Sequence, residues 1–260
     1  MLYLFAIRPR TSRIGDVMEY HRAMFAHRGY HNEEKYIPEN SMAAFRAAMD
    51  HGYGIELDVH LTKDGRLAVF HDDTLERMCG DLGRIEGYTF AELRNFHLLN
   101  TTEKIPELGE VLSCVNGRVP LLIELKISGR NLAVCRKSYE MLKNYRGSYM
   151  VQSFNTMGLY WYRKHAPEVL RGQLSSNLTK TAKKDPYILR FAVKYLLFNM
   201  LGRPDFISYK LKDLPNISVS LCRMLFHVPV AVWTLRTEKA LKQGRAGYNI
   251  CIFEKKGINY

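Results

Sequence analysis

The sequence lacks the cysteine pattern of a disulfide framework or of a structural zinc site. Its cysteines are odd in number, scattered along 260 residues and never spaced as Cys-x-x-Cys. Both kinds of site need paired or closely spaced cysteines, so we expect reduced, mostly buried thiols in a cytoplasmic protein. The five are Cys79, Cys114, Cys135, Cys222 and Cys251.

An apolar segment that could cross a bilayer is also missing from the N-terminal region. Leu2–Ile7 has six apolar residues, far below the about 20 that a membrane-spanning helix needs, and no basic segment precedes it as in a secretory signal. We expect it to belong to an N-terminal arm, residues 1–23, that packs on the fold. The alternative is contact with a membrane surface, favoured by Arg8, Arg10 and Arg13.

Acidic residues are few relative to basic ones. The chain has 26 Asp and Glu against 38 Lys and Arg, a formal net charge of +12. This balance favours anionic partners, namely phosphate esters, anionic lipid surfaces or nucleic acid. There is no zinc-finger spacing and no arginine-rich low-complexity segment, so nucleic acid is not expected as a partner.

Short apolar strands alternate with helix-like segments, a pattern typical of a parallel α/β sheet with covering helices. With 260 residues and 47% hydrophobic content, we expect one domain over residues 1–260, an α/β barrel of eight strands. The strands are predicted at Met24–His27, Gly54–Val59, Leu121–Lys126, Tyr149–Phe154, Leu170–Leu174, Phe206–Leu211, Val228–Thr234 and Tyr248–Glu254.

A helix is clearest at Met42–Met49, where Asn40 or Ser41 can cap the start and Gly52 the end. Lys63-Asp64-Gly65 predicts a tight turn, after which Leu67–Phe70 folds back as a hairpin arm. The pattern then loosens, and we interpret residues 73–117 as a small insertion with helices at Phe90–Phe96 and Glu107–Val115.

A further helix, predicted at Tyr187–Leu201, is apolar around most of its circumference. Either neighbouring segments bury it, or it rests on anionic lipid or on a second subunit of a homo-oligomer. Arg190 and Lys194, one turn apart, favour the lipid interpretation, as do Lys180, Lys183 and Lys184 before the helix.

Carboxylates are placed on two of the predicted strands so that they point to one side. Glu56 and Asp58 are two residues apart on one strand and share a face, and Glu124 lies on the next core strand. Crowded carboxylates repel unless a cation neutralises them, and Mg²⁺ or Ca²⁺ prefers oxygen ligands. The three acids therefore form a candidate site for one divalent ion, and Lys126 on the same face as Glu124 could hold a phosphate oxygen.

Two histidines stand at strand ends beside these acids. His27 and His71 are candidates for general acid and base, because an imidazole titrates near neutrality. Arg28 can bind a phosphate diester, or it can pair with Glu56 or Glu39. Trp233 ends an apolar strand, and its side chain either lines the substrate pocket or belongs to the hydrophobic core.

In order and spacing, these motifs resemble the glycerophosphodiester phosphodiesterase family. The resemblance extends from His27 to Glu254. One departure is the end of the last strand, where Cys251–Glu254 replaces the family's Thr-Asp. The matching motifs are His27-Arg28-Gly29, Pro38-Glu39-Asn40-Ser41, Glu56-Leu57-Asp58-Val59, His71-Asp72, Glu124-Leu125-Lys126, Ser153-Phe154 and Val232-Trp233-Thr234.

The resemblance implies a TIM (β/α)8 barrel with a small insertion after the second strand, and hydrolysis of a small-molecule glycerophosphodiester to glycerol 3-phosphate and an alcohol. It implies metal binding by Glu56, Asp58 and Glu124, acid-base catalysis by His27 and His71, and phosphate binding by Arg28 and Lys126. A glycerol hydroxyl could act as the internal nucleophile through a cyclic phosphate. The alternatives are a lysophospholipase D acting on membrane lysolipids and a barrel that binds anions or lipids without catalysis.

Overall fold

A computed structural model describes residues 1–181 and 186–254 of the chain. Strands and helices alternate along it, as predicted. The strands are β1 Met24–His27, β2 Gly54–Leu61, β3 Leu67–Val69, β4 Leu121–Leu125, β5 Tyr149–Ser153, β6 Arg171–Ser175, β7 Phe206–Lys210, β8 Val230–Leu235 and β9 Ile250–Phe253.

The helices are short, and most of them lie between successive strands. They are α1 Leu2–Ile7, α2 Ile14–Met18, α3 Met42–Asp50, α4 Glu76–Cys79, α5 Phe90–Leu93, α6 Leu108–Val115, α7 Ala133–Leu142, α8 Thr156–His165, α9 Leu178–Thr181, α10 Tyr187–Lys194, α11 Asn199–Gly202, α12 Ile217–Phe226 and α13 Glu238–Gly247. Every predicted strand lies within a few residues of an observed one.

The described residues fall into two compact units. The first unit comprises Phe25–Tyr149 together with Glu254, and the second comprises Met1–Met24 with Met150–Phe253. The single domain over residues 1–260 stays a prediction.

In the first unit, β2 is the central strand. It pairs in parallel with β1 and β4, and the register sets Asp58 beside Glu124 and His27 beside Glu56. β3 runs antiparallel to β2, which confirms the predicted hairpin arm. Both parallel neighbours therefore deliver their chemically active residues at the same level as the acids of β2.

The predicted insertion, residues 73–117, has a small apolar core of its own. Its buried side chains pack together with Ala68 and Phe70 from the hairpin arm. They are Leu75, Met78, Ile85, Phe90, Leu93, Leu98 and Ile105. The insertion is thus anchored to the strand segment that immediately precedes His71.

In the second unit, β5 to β9 pair consecutively in parallel. The N-terminal arm forms α1, which lies on α12: the Tyr3 hydroxyl is 2.7 Å from Ser218 Oγ and the Cys222 thiol bonds the Ile7 carbonyl at 3.3 Å. α1 therefore packs on α12, in agreement with the expectation that the N-terminal arm packs on the fold. Only Ile7 of α1 is buried, however.

The helix predicted at Tyr187–Leu201 is shorter than expected. It ends at Lys194, and Leu196 takes a left-handed backbone conformation (φ 57°) before α11 begins. Ile188 is 81% exposed and Tyr187 61%, so neighbouring segments of the described structure do not bury this face. Lys183 and Lys184 lie outside the described residues.

All five cysteines are free thiols, and three of them are buried. Among the described residues, no helix combines the length and the apolar character needed to span a bilayer.

Candidate active site

The site is built in the first unit, where β1, β2 and β4 end. Glu56, Asp58 and Glu124 are all buried, and one carboxylate oxygen from each lies within 4.8 Å of the others. The alternation of side chains along β2 puts Glu56 and Asp58 on one face, and the parallel register adds Glu124 beside Asp58. The structure thus brings the three predicted acids together.

Burial and mutual repulsion perturb the pKa values of these acids. Burial, reinforced by the charges of Asp58 and Glu124, raises the pKa of Glu56 well above its usual value. Burial also raises the pKa of Glu124, despite the opposing effect of Lys126. For Asp58 the outcome is reversed, because the cations around it, Lys126 first, outweigh burial and lower its pKa.

The cluster fits a divalent cation. Its donors are carboxylate oxygens, which Mg²⁺ and Ca²⁺ prefer. Burial, and then the neighbouring acids, disfavour the charged forms of Glu56 and Glu124, and a bound cation would favour those charged forms. Glu56, Asp58 and Glu124 are the residues that would hold it.

Lys126 follows β4 and lies against the same acids. Its Nζ is 2.6 Å from Glu124 Oε1 and 2.9 Å from Asp58 Oδ1. Burial alone would lower the pKa of this ammonium, but the two carboxylates raise it above its usual value, so the side chain is charged.

His27 ends β1 with its ring held by a carboxylate. His27 Nδ1 is 2.8 Å from Glu254 Oε1, and Nε2 faces Glu56 Oε2 at 4.0 Å. Burial lowers the pKa of His27 to about 4, although the hydrogen bond to Glu254 opposes the shift. The imidazole is therefore neutral at pH 7, with Nδ1 donating to Glu254 and Nε2 free to accept a proton.

The turn after His27 depends on two residues with left-handed backbone. Arg28 has φ 57° and Gly29 φ 80°. A Cβ on Gly29 would lie 2.8 Å from the Cβ of Ala44 and 3.0 Å from its backbone carbon, so only glycine fits against α3. This conformation lets the Arg28 amide donate to Glu56 Oε2 at 3.1 Å.

The Arg28 guanidinium lies beside two acids, Glu39 and Asp58. It donates to Glu39 Oε1 at 2.8 Å and lies 3.7 Å from Asp58 Oδ2. The predicted pairing with Glu39 is therefore present, and Glu56 is contacted through the backbone amide instead. Asn40, one of the two predicted caps of α3, donates to Asp58 at 2.9 Å instead. The N-cap of α3 is the other candidate, Ser41.

His71 follows the hairpin arm and has its own carboxylate partner. His71 Nδ1 lies 2.6 Å from Asp72 Oδ1. Arg77 from the insertion joins Asp72 to Glu39, with ion-pair distances of 2.6 Å to each. Glu39 is thus held between two guanidinium groups, one beside each histidine.

Three further residues contribute to the site and were not among the predicted site residues: His60, Glu254 and Arg77. His60 is 7% exposed on β2, and its Nε2 bonds the His71 carbonyl at 3.2 Å. The available signal was its position two residues after Asp58, on the same face of the strand. Glu254 and Arg77 gave no comparable signal.

Trp233 is the one predicted site residue outside the first unit. It lies on β8 of the second unit, where its ring meets Phe154 edge to face with centroids 5.9 Å apart. Its role as a pocket wall stays a prediction.

Comparison with known proteins places the chain in a family. Residues 27–253 match the model of the Glycerophosphoryl diester phosphodiesterase family. Among curated relatives, a glycerophosphodiester phosphodiesterase of Bacillus altitudinis is 35% identical over 56% of this chain and 63% of its own length. One of Caldanaerobacter subterraneus subsp. tengcongensis is 37% identical over 58% and 65%. The chain thus spans a little under two thirds of these relatives.

Solved structures match over more of the chain. A phosphodiesterase of Oleispira antarctica, in complex with the product sn-glycerol-3-phosphate, superposes with a TM-score of 0.74 at 24% identity, covering 91% of this chain and 94% of its own. A glycerophosphodiester phosphodiesterase of Parabacteroides distasonis gives 0.71 at 26%, covering 89% and 92%. The predicted α/β fold, a TIM (β/α)8 barrel with a small insertion after the second strand, is confirmed. The chain belongs to the glycerophosphoryl diester phosphodiesterase family.

Proposed function

We propose that this protein is a metal-dependent phosphodiesterase that hydrolyses glycerophosphodiesters to glycerol 3-phosphate and an alcohol. The observation that carries the proposal is the pairing of two carboxylate-held imidazoles with a buried cluster of three acids. His27 is held by Glu254 and His71 by Asp72.

His27 serves as the proton acceptor. Its Nδ1 is committed to Glu254, and its buried ring is neutral at pH 7, so Nε2 can take the proton of the attacking hydroxyl. That hydroxyl belongs to the glycerol of the substrate, which forms a cyclic phosphate that water then opens, as in the family that the sequence resembles. A neighbouring hydroxyl makes this attack effectively unimolecular.

His71 serves as the proton donor to the departing alcohol. As the new P–O bond forms, the bond to the alcohol breaks, and the proton from His71 neutralises the alkoxide. Asp72 holds Nδ1 of the ring, so Nε2 would carry the proton that the departing alcohol receives. The roles reverse when water opens the cyclic ester.

A divalent cation, Mg²⁺ or Ca²⁺, held by Glu56, Asp58 and Glu124 would neutralise the charge that develops on the phosphoryl oxygens. Arg28 and Lys126 flank this cluster and bind the phosphate. Both are charged side chains within reach of Asp58, so each can exchange a carboxylate partner for a phosphate oxygen.

The alcohol occupies a cavity of about 350 Å³ next to Lys126. Its lining includes the polar side chains of His60, Thr62, Glu86 and Asn131. These groups can form hydrogen bonds with a small hydrophilic alcohol.

A lysophospholipase D is the second candidate, and the exposed apolar face of α10 favours it. Ile188, Tyr187 and Phe191 would contact lipid that carries the substrate. This version predicts turnover of lysophosphatidylcholine above that of glycerophosphocholine.

The test is a panel of glycerophosphocholine, glycerophosphoethanolamine, glycerophosphoglycerol and lysolipids, each with Mg²⁺ or Ca²⁺. We expect glycerol 3-phosphate from at least one water-soluble diester, and no turnover by His27→Ala. Preference for lysolipids would favour the second candidate. No hydrolysis of any substrate with either ion would refute both and favour a binding protein.

A further inference from the structure

We propose that an anionic membrane surface docks on the second unit at a patch formed by α1, Arg8, Arg163 and Arg203, here called the arginine patch. The inference does not rest on the catalytic proposal, since all of its residues belong to the second unit.

The first observation is a group of arginines that have no acidic partner among the described residues. Burial, then the positive charges of Arg8 and Arg163, lowers the pKa of Arg203. Arg163 donates to the backbone carbonyls of Met200 and Leu201, and Arg203 contacts the Arg8 carbonyl. Within the part of the chain that the structure describes, no carboxylate lies within ion-pair distance of these three guanidinium groups.

Two other arginines of the N-terminal arm behave differently. Arg10 pairs with Asp205 at 2.6 Å, and Arg13 pairs with Asp16. The arm therefore contains acid-paired arginines, whereas the group around Arg203 has no acidic partner among the described residues. Crowded, unneutralised guanidinium groups attract an anion, and phosphate matches their donor geometry.

The second observation is an apolar surface beside these cations. Leu2 of α1 is 83% exposed and Phe5 51%. A groove of about 530 Å³ runs between α1 and Phe226 of α12, with Arg8 at its edge. The guanidinium of Arg203 lies 5.4 Å above the Phe5 ring.

Lipid headgroups and acyl chains together match both observations. Anionic headgroups would meet Arg8 and Arg203, while Leu2 and Phe5 enter the boundary between headgroups and acyl chains. A soluble anion such as inorganic phosphate would use the arginines but leave the apolar side chains in water. The combination of guanidinium groups and exposed apolar side chains therefore favours a membrane surface over free phosphate as the ligand of the arginine patch.

Vesicle flotation tests the proposal with the full chain. We expect binding to phosphatidylglycerol vesicles, little binding to phosphatidylcholine vesicles, and a marked loss between 50 mM and 500 mM salt. The double change Arg8→Gln, Arg203→Gln should weaken binding about 30-fold, since each basic residue near an anionic surface contributes roughly a fivefold effect. The matched pair Lys239→Gln, Lys242→Gln on α13 removes the same charge and should have little effect.

A second pair of variants separates α1 from the apolar face of α10. Leu2 and Ile188 have nearly equal exposure, 83% and 81%. Leu2→Ser should weaken vesicle binding at least tenfold, and Ile188→Ser should not. Circular dichroism melting checks that each variant is folded.

Several results would overturn the proposal. They are equal binding to both vesicle types, equal loss from the arginine and lysine pairs, and a loss with Ile188→Ser that Leu2→Ser does not produce. Absence of vesicle binding at 50 mM salt would overturn it as well.

Discussion

The hydrogen bond between His27 and Glu254 offers the sharpest test of the site. Glu254 Oε1 lies 2.8 Å from His27 Nδ1, and it fixes both the tautomer and the direction of the ring. Glu254→Ala removes the carboxylate that accepts from Nδ1, so the ring can rotate or carry its proton on Nε2. Either change takes away the lone pair that the proposed mechanism needs.

The magnitude follows from the type of bond. A hydrogen bond to a charged group contributes about 1.5 to 3 kcal/mol, which corresponds to a loss in kcat of roughly 10- to 150-fold. KM should change little, because Glu254 acts through His27 in the proposed site and does not bind the phosphate. Glu254→Gln retains an acceptor oxygen without the charge and should lose less than tenfold.

Steady-state release of glycerol 3-phosphate from glycerophosphodiesters measures this effect. Glu168→Ala, an exposed carboxylate of the second unit, is the matched control and should resemble the unchanged protein. Calorimetric titration with Mg²⁺ checks that the acid cluster is intact in Glu254→Ala. The reasoning about Glu254 is refuted if Glu254→Ala keeps kcat within twofold, or if its effect falls on KM alone.

Three other predictions concern the acids, the leaving group and the turn after His27. Asp58→Asn should reduce hydrolysis at least a hundredfold, and so should a chelator. Asp73→Asn changes an exposed carboxylate and is the control. Unchanged turnover in chelator would contradict the metal proposal. With a p-nitrophenyl diester, whose alcohol leaves unprotonated, the loss caused by His71→Asn should shrink but that of His27→Asn should not; the opposite result would exchange their roles. Gly29→Ala should lower the free energy of unfolding by about 2 to 3 kcal/mol in urea, because φ is 80° and Ala44 is 2.8 Å away. Gly15→Ala, with no atom within 4 Å, is its control, and an equal effect would refute the steric argument.

Much of the site could be predicted from sequence because it is local to strands. The two-residue period of β2 places Glu56 and Asp58 on one face, and parallel pairing then adds Glu124. The same period also places His60 on that face, although His60 was not among the candidate site residues. Its companion is a backbone carbonyl, that of His71, and such acceptors leave no trace in a sequence.

Contacts between residues that are far apart in the sequence could not be predicted. Glu254 is 227 positions away from His27, and only the fold sets them together. Arg77 reaches Asp72 and Glu39 with a long flexible side chain from the insertion, and no spacing rule fixes its direction. The helix at Tyr187 was predicted too long because apolar residues continue past Lys194, whereas Leu196 turns the backbone.

The position of Lys126 has a consequence for how substrate and ion affect one another. Its ammonium lies 2.6 Å from Glu124 and 2.9 Å from Asp58, so it competes for oxygens that a divalent cation would also use. A phosphate that draws the ammonium away would release those oxygens. Thermodynamic reciprocity then requires each ligand to tighten the binding of the other by the same factor. Replacing Lys126 by methionine should therefore strengthen ion affinity while abolishing this cooperativity.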